Sequence, residues 1–256
     1  MVADAEIVRL ISELPAAGEY QGEPVFIADN LWRQYHRPSE RWHRFKLGIG
    51  RQRQYFLANE ARWLRSLNGL PLATCHQLDD IGKCRLLVTD YLPGQTLAMR
   101  VRQQGVRFAG YDRVIQQLYD ALTLCHRQGC VHGDIKPNNI IVDDGSLVLI
   151  DFANASALGS RVSAHAYRAY SPSYSLPNQQ RGFGRTSPLT DWYGYLMVLR
   201  IVLGGGLGQP NWQAARPVRD CFGHWMRHSG LSEDRLLTLD QVLEELDESV
   251  SIAGQF

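Results

Sequence analysis

The stretch Val131-His132-Gly133-Asp134-Ile135-Lys136-Pro137-Asn138-Asn139, with Asp151-Phe152-Ala153 beyond it, decides the reading of this chain. Between the two lie short aliphatic runs, Ile140-Ile141-Val142 and Leu147-Val148-Leu149-Ile150, joined by Asp143-Asp144-Gly145-Ser146. Acidic residues followed by glycine between β-branched runs predict a β-hairpin. The pattern is therefore His-x-Asp-x-Lys-x-x-Asn, a hairpin, then Asp-Phe. At usage of about 5% per residue type, even five of these fixed residues arise by chance in roughly one chain in ten thousand of this length.

Working outward, residues 111–128 carry Val114, Leu118, Ala121, Leu122 and Cys125 at helical spacing and predict an amphipathic helix. Residues 153–190 are rich in Ser, Ala, Pro, Tyr and Gly without periodicity, and so long a loop inside a domain is usually functional. Residues 191–203 are apolar nearly all round, as a buried helix is, and helical segments are expected near 213–228 and 238–248. Toward the N-terminus, residues 86–89 read as a buried strand, with Pro93-Gly94 breaking the chain after it. Residues 52–68 predict a helix whose apolar stripe, Phe56, Trp63, Leu64 and Leu67, also contains Glu60. A carboxylate on an inward face needs a partner, because burying it unpaired is expensive. Strands are expected at 25–28, after the punctuation of Gly18, Gly22 and Pro24, and at 31–36 and 42–47. Residues 4–14 read as a short amphipathic helix.

Composition sets the outer limits. In 256 residues, 45% are hydrophobic and 21% charged, enough to bury a sizeable core. Twenty-seven basic against 26 acidic residues argue against a broad nucleic-acid-coating surface. Five cysteines, an odd number without CxxC spacing, argue against a disulfide framework or a cysteine-built zinc site and fit reduced thiols in the cytoplasm. The opening residues lack the apolar core of a signal peptide, and the most apolar stretch, Tyr195 to Leu203, is too short to span a bilayer.

The His132–Asn139 pattern with Asp151-Phe152 resembles the protein-kinase superfamily, in particular its small bacterial branch of eukaryotic-like Ser/Thr kinases. The resemblance implies a two-lobed α+β fold, with one catalytic domain over residues 1–256. Its N-lobe, to about residue 92, would be mostly antiparallel β with one main helix; its C-lobe, from about 93, larger and helical. It implies ATP and Mg²⁺ as cofactors and a Ser/Thr-bearing protein as substrate, with no nucleic acid and no membrane span. Asp134 would act on the attacking hydroxyl, Lys136 would reach the γ-phosphate, and Asn139 and Asp151 would hold Mg²⁺. His132 would pack the loop against the segment bearing Asp151. Lys46 would contact the α- and β-phosphates while paired with Glu60, with Arg33 or Arg37 as other sources of charge. Main-chain groups from Asp90 to Leu92 would bond the adenine edge, with Thr89 behind it. Ser171 to Gln179 is similar to the segment that docks peptide substrate, and Asp191 to a helix-start aspartate that braces the catalytic loop. Lys136 and Ser171 imply serine or threonine rather than tyrosine as acceptor.

Four departures qualify the likeness. No GxGxxG precedes Lys46, where Ala28-Asp29-Asn30-Leu31-Trp32-Arg33 stands instead. Gly133 replaces an arginine that reads activation-loop phosphate, so activity should not require phosphorylation of Ser156, Ser160 or Ser163. Ala153 replaces a glycine, and Asn178 replaces a glutamate expected to pair with an arginine resembling Arg235. Two other functions therefore stay open: a small-molecule or lipopolysaccharide-sugar kinase, and a nucleotide-binding pseudokinase or scaffold.

Overall fold

Short alternating runs of aromatic and aliphatic residues build a five-stranded antiparallel sheet in the N-terminal part. Its members are β1 (Tyr20–Ala28), β2 (Leu31–His36), β3 (Arg41–Ile49), β4 (Cys75–Ile81) and β5 (Cys84–Asp90), in the order β1-β2-β3-β5-β4. The computed structural model describes residue 9, residues 17–205 and residues 218–253. Because strand side chains alternate between faces, Trp32, Phe45, Leu47, Leu86 and Val88 share one core. Leu87 packs with Leu57 and Ala61 of helix α1 (Arg51–Ser66) in a second. The same alternation along β3 sets Arg44 and Lys46 on the opposite face from His43, Phe45 and Leu47. At Gly48 a Cβ would lie 2.8 Å from Leu57 Cδ1 and 3.1 Å from the Arg53 main chain, so glycine lets α1 come close to β3.

Two expectations change here. Gly22 and Pro24 lie inside β1 rather than ahead of it, since β1 is an edge strand and its register shifts between Gln21 and Val25. The β4 sequence Cys-His-Gln-Leu-Asp-Asp-Ile has too little apolar alternation to announce a strand, and β4 too lies at an edge.

The chain divides after Pro93 into two compact units, residues 69–71 belonging with the second. In the second unit, β6 (Gln95–Thr96) leads into α2 (Leu97–Gln104), capped by the Thr96 hydroxyl accepting from Met99 N. Then follow α3 (Tyr111–Arg127), β7 (Cys130–Val131), β8 (Ile140–Asp143), β9 (Ser146–Leu149) and β10 (Ser156–Ala157). The expected hairpin forms, with Ile140 opposite Leu149 and Asp143 opposite Ser146. The segment 153–190 is mostly irregular but holds β10 and the short α4 (Pro177–Arg181). Helix α5 (Leu189–Leu203) is buried on all sides, and its Gly194 allows contact with the loop: a Cβ there would meet Ile135 O at 2.7 Å. Helices α6 (Val218–Arg227) and α7 (Glu233–Ala253) complete it. The N-terminal helix expected at 4–14, Arg9 apart, and residues 213–217 of a later one lie outside the described residues. The architecture is α+β, and no helix among the described residues is long and apolar enough to cross a membrane.

Candidate active site

The loop after β7 reaches β8 through a single 3-10 turn at Pro137–Asn139, which places four of its polar side chains by short-range geometry. Asp134 is almost buried. Lys136 Nζ donates to its Oδ2 at 2.7 Å and to Ser171 Oγ at 2.9 Å, while Ser171 Oγ donates to its Oδ1 at 2.8 Å. Asn139 Nδ2 donates to the Asp134 carbonyl at 2.9 Å and to Oδ2 at 3.1 Å. The carboxylate thus carries an ammonium on one oxygen and an alcohol on the other.

A second carboxylate holds the loop from behind. Asp191, at the start of α5 and fully buried, accepts from His132 N and Gly133 N at 2.8 Å each and meets His126 Nε2 at 2.9 Å. It is a brace rather than only a helix cap. His132 Nε2 meets Ile150 O at 3.1 Å and its ring lies 4.6 Å from that of Phe152, joining loop to hairpin as expected. Gly133 has φ 79°, and a Cβ on it would meet Asn154 O at 2.8 Å. An arginine therefore does not fit at this position, and Gln179 Nε2 instead donates to Gly133 O at 2.7 Å.

Asn139 and Asp151 stand at the mouth of the hairpin, where Ile150 N donates to Asn139 O at 3.0 Å. With its amide nitrogen committed to Asp134, Asn139 keeps its side-chain oxygen for another partner. Asp151 adopts left-handed φ 69° and ψ 62°, a conformation uncommon for a non-glycine residue and frequent at functional sites. An amide oxygen and a carboxylate, carried at the two ends of one hairpin, are hard oxygen donors of the kind that Mg²⁺ takes.

In the first unit, Glu60 is 1% exposed and receives Lys46 Nζ on its two oxygens at 2.9 and 2.8 Å. The partner required by its inward face is thus Lys46. A second cation joins it: Arg44 lies 3.6 Å from Glu60, and its Nε donates to Thr89 Oγ1 at 3.3 Å. Arg33 was an expected alternative source of charge, but its guanidinium lies over Trp42 and Tyr91, 4.9 and 4.7 Å from their ring centres. Arg44, missed in the sequence, was legible there, because period-2 alternation puts it on the Lys46 face. The β1–β2 connection is a two-residue turn, Asp29-Asn30, with Ala28 opposite Leu31 and Asn30 at φ 59°. So tight a turn offers no row of main-chain amides to a phosphate.

At the end of β5, Asp90 N donates to Thr74 O at 3.1 Å and Tyr91 N to Trp42 O at 2.9 Å. These two donors, expected among those facing adenine, are engaged within the sheet. The Asp90 carbonyl accepts Thr89 Oγ1 at 3.2 Å, and among the described residues no main-chain bond engages Leu92. Burial pushes the Asp90 carboxyl up, but bonds from Thr74 and His76 outweigh it and hold the group below the usual carboxylate range. Burial, then the Asp191 charge, pushes the Cys125 thiol up to about 12.

Downstream, Arg235 finds Asp120 at 2.6 Å and lies over the Tyr119 ring, so it keeps an ionic partner; the Asn178 side chain lies outside the described residues. Ser156 is buried with its hydroxyl directed to Thr186, out of reach of a modifying enzyme. Ser171 was expected within the segment that docks peptide substrate; its bond to Asp134 is a finding, since a long aperiodic loop gives no spacing from which to place it.

Comparison with known proteins agrees with this geometry. A family model described as protein kinase domain matches residues 49–217. The chain is similar to serine/threonine-protein kinase PrkC of Bacillus subtilis, 30% identical over 149 residues, 57% of this chain and 23% of that protein. It is also similar to serine/threonine-protein kinase F of Synechocystis, 29% identical over 180 residues, 63% of this chain and 36% of that one. CBL-interacting serine/threonine-protein kinase 21 of Arabidopsis thaliana is 27% identical over 147 residues, 57% of this chain and 35% of its own. The chain thus spans about a quarter to a third of the length of these curated relatives. With two thirds of its residues under one family model, and that family's loop built around Asp134, the chain belongs to the protein kinase domain family.

Proposed function

We propose that this chain transfers the γ-phosphoryl group of ATP to serine or threonine hydroxyls of a protein, with Mg²⁺ and in the cytoplasm. The observation that carries the reading is the Ser171 alcohol donating to Asp134 Oδ1 at 2.8 Å with Lys136 Nζ between them. An acceptor hydroxyl in the same relation to Asp134 would have its proton drawn off as its oxygen attacks phosphorus. Lys136 offsets the charge that develops on the transferred group. Asn139 and Asp151 are the residues that would hold Mg²⁺, which when bound neutralises phosphate charge. Lys46, steadied by Glu60, binds the α- and β-phosphates, and the Asp90 carbonyl with the Leu92 main chain receives the base, since Asp90 N and Tyr91 N are engaged elsewhere. The naming of the bacterial relatives as serine/threonine-protein kinases supports the same acceptor class.

The tight Asp29-Asn30 turn favours a second reading, a pseudokinase that binds nucleotide without transfer. Incubation with radiolabelled ATP, Mg²⁺ and a generic basic protein separates them. Label on serine or threonine, abolished in Asp134→Ala and Asp151→Ala, is the expected result. Stabilisation by nucleotide without turnover would establish the second reading instead. Transfer only to a sugar or glycolipid would move the chain to the small-molecule kinases.

A further inference from the structure

One face of the first unit's sheet carries a cluster of polar side chains that the proposed phosphoryl transfer does not use. The rings of His36, His43 and His76 stand in file, with centroids 4.5 and 4.1 Å apart and planes within 19° and 13°. His76 Nε2 meets Asp90 Oδ1 at 2.7 Å, and His36 Nε2 meets Glu19 Oε2 at 3.0 Å. One ligand atom from each of His43, His76 and Asp90 lies within 4.8 Å of the others. We infer that His43, His76 and Asp90 form a binding site for a zinc-class divalent ion, two imidazole nitrogens and one carboxylate oxygen with the remaining position left to water.

The donor set selects the ion. Imidazole with carboxylate suits Zn²⁺ and its neighbours, whereas Mg²⁺ takes oxygen, so this site is separate in kind from Asn139 and Asp151. The three atoms lie within 4.8 Å of one another, which at its widest puts them about 2.8 Å from a common centre, so zinc bonds of about 2.1 Å ask for shifts of no more than about 0.7 Å, and the His76–Asp90 pair, at 2.7 Å, has to part slightly. An ion must also lie near the plane of each ring that binds it, so the parallel stack has to open. His76 is the ring able to do so: its side chain is 32% exposed and it stands on the edge strand β4.

The outer partners of such a site are already in place. Metal-bound histidine ordinarily keeps a hydrogen bond on its other nitrogen, and ligating carboxylates are themselves held. His43 Nδ1 meets Tyr20 Oη at 3.0 Å and its Nε2 meets Ser39 Oγ at 3.3 Å, so whichever nitrogen takes the ion, a hydroxyl orients the ring through the other. Thr74 N donates to Asp90 Oδ2 at 3.0 Å and holds the carboxylate, while Oδ1 and His76 Nε2, now 2.7 Å apart, would exchange their mutual hydrogen bond for the ion. A filled site would tie β3, β4 and the end of β5 together, and it does not depend on the proposed transfer.

The test is titration of chelator-stripped full chain with Zn²⁺ by calorimetry, and with Co²⁺ followed by its visible absorption, without nucleotide. One ion per chain is expected, with a rise in Tm and an affinity at least about tenfold weaker in His76→Ala. His76 is exposed enough for that variant to fold, which an unchanged metal-free Tm verifies. His224 on α6 and His228 just past its end, with ring centres 4.4 Å apart, are a rival chelate. His224→Ala should therefore leave binding intact. No binding, or binding lost in His224→Ala and kept in His76→Ala, overturns the assignment.

Discussion

Replacing Asp191 tests whether the loop bearing Asp134 is held from behind by a buried charge. Its carboxylate takes two main-chain N–H groups at 2.8 Å, from His132 and Gly133, in a place with no solvent to replace them. Hydrogen bonds to a charged group contribute about 1.5–3 kcal/mol each, so Asp191→Ala should cost about 3–6 kcal/mol. Against a total stability of roughly 5–15 kcal/mol, that is enough to leave much of the chain unfolded near its working temperature. Asp191→Asn keeps one acceptor oxygen but turns an NH₂ toward the second donor, so it should lose about half as much while remaining folded. In the asparagine variant Gly133 loses its fixed direction, and Asp134 follows one residue later. A misplacement of about 1 Å at a reacting group can cost on the order of a hundredfold in rate, and phosphotransfer should fall by that order while the fold persists. Urea unfolding followed by tryptophan fluorescence, with the m-value checked for constancy, gives the first quantity; labelled-phosphate transfer gives the second. A loss below about 1 kcal/mol in Asp191→Ala, or an asparagine variant with undiminished transfer, would refute the reasoning.

Lys46→Met should abolish most transfer yet destabilise only moderately, because Arg44 remains 3.6 Å from Glu60. Adding Arg44→Leu strands the buried carboxylate and should cost a further 3–5 kcal/mol or so in urea unfolding; equal stability of the single and double variants would contradict this. Gly133→Arg should lower Tm by several degrees rather than restore phosphate control, since its φ of 79° and the Asn154 carbonyl both oppose a side chain. For Cys125 the sign follows from a thiol held protonated in the fold up to about 12 and ionising near 9.0 when unfolded. The unfolded state releases the proton first, so this residue's contribution is whole below pH 9 and is lost as pH rises from there toward 12. Mass-spectrometric alkylation at pH 9 should spare Cys125 in the native chain and modify it in urea.

Where one periodicity governs an element, the chain could be read directly. The hairpin at 140–149, the helix at 111–127 and the all-round apolar helix at 189–203 each obey a single pattern over their whole length. The edge strands did not yield so easily. β4 has polar residues on an exposed side, and β1 absorbs Gly22 and Pro24 through a register shift, because an edge strand need pair only on one flank. The site divides in the same manner. His132, Asp134, Lys136, Asn139 and Asp191 were legible through the family resemblance, which their local spacing and the helix start at Asp191 carry. Ser171 lies 37 positions from Asp134 in the chain, across an aperiodic segment, and only the folded structure brings the two together.

Under the proposed nucleotide reading, the departures near Lys46 amount to one substitution, of side chains for main chain. A glycine-rich loop offers phosphate a row of amides that carry partial charge and need no counter-ion. The Asp29-Asn30 turn offers none, and its aspartate adds a negative charge where a phosphate loop would stand. Arg44 supplies charge of the required sign on the Lys46 face of β3, but full cations drawn into a nearly dry site repel one another. Glu60, 1% exposed, answers both: it lies 2.8 Å from Lys46 and 3.6 Å from Arg44, leaving the trio a net single positive charge. An inward glutamate in an apolar helical stripe looks costly when the helix is considered alone. Between two cations it is what allows positive charge to be kept on that strand at all, and this is why Arg44 and Glu60 have to be understood together.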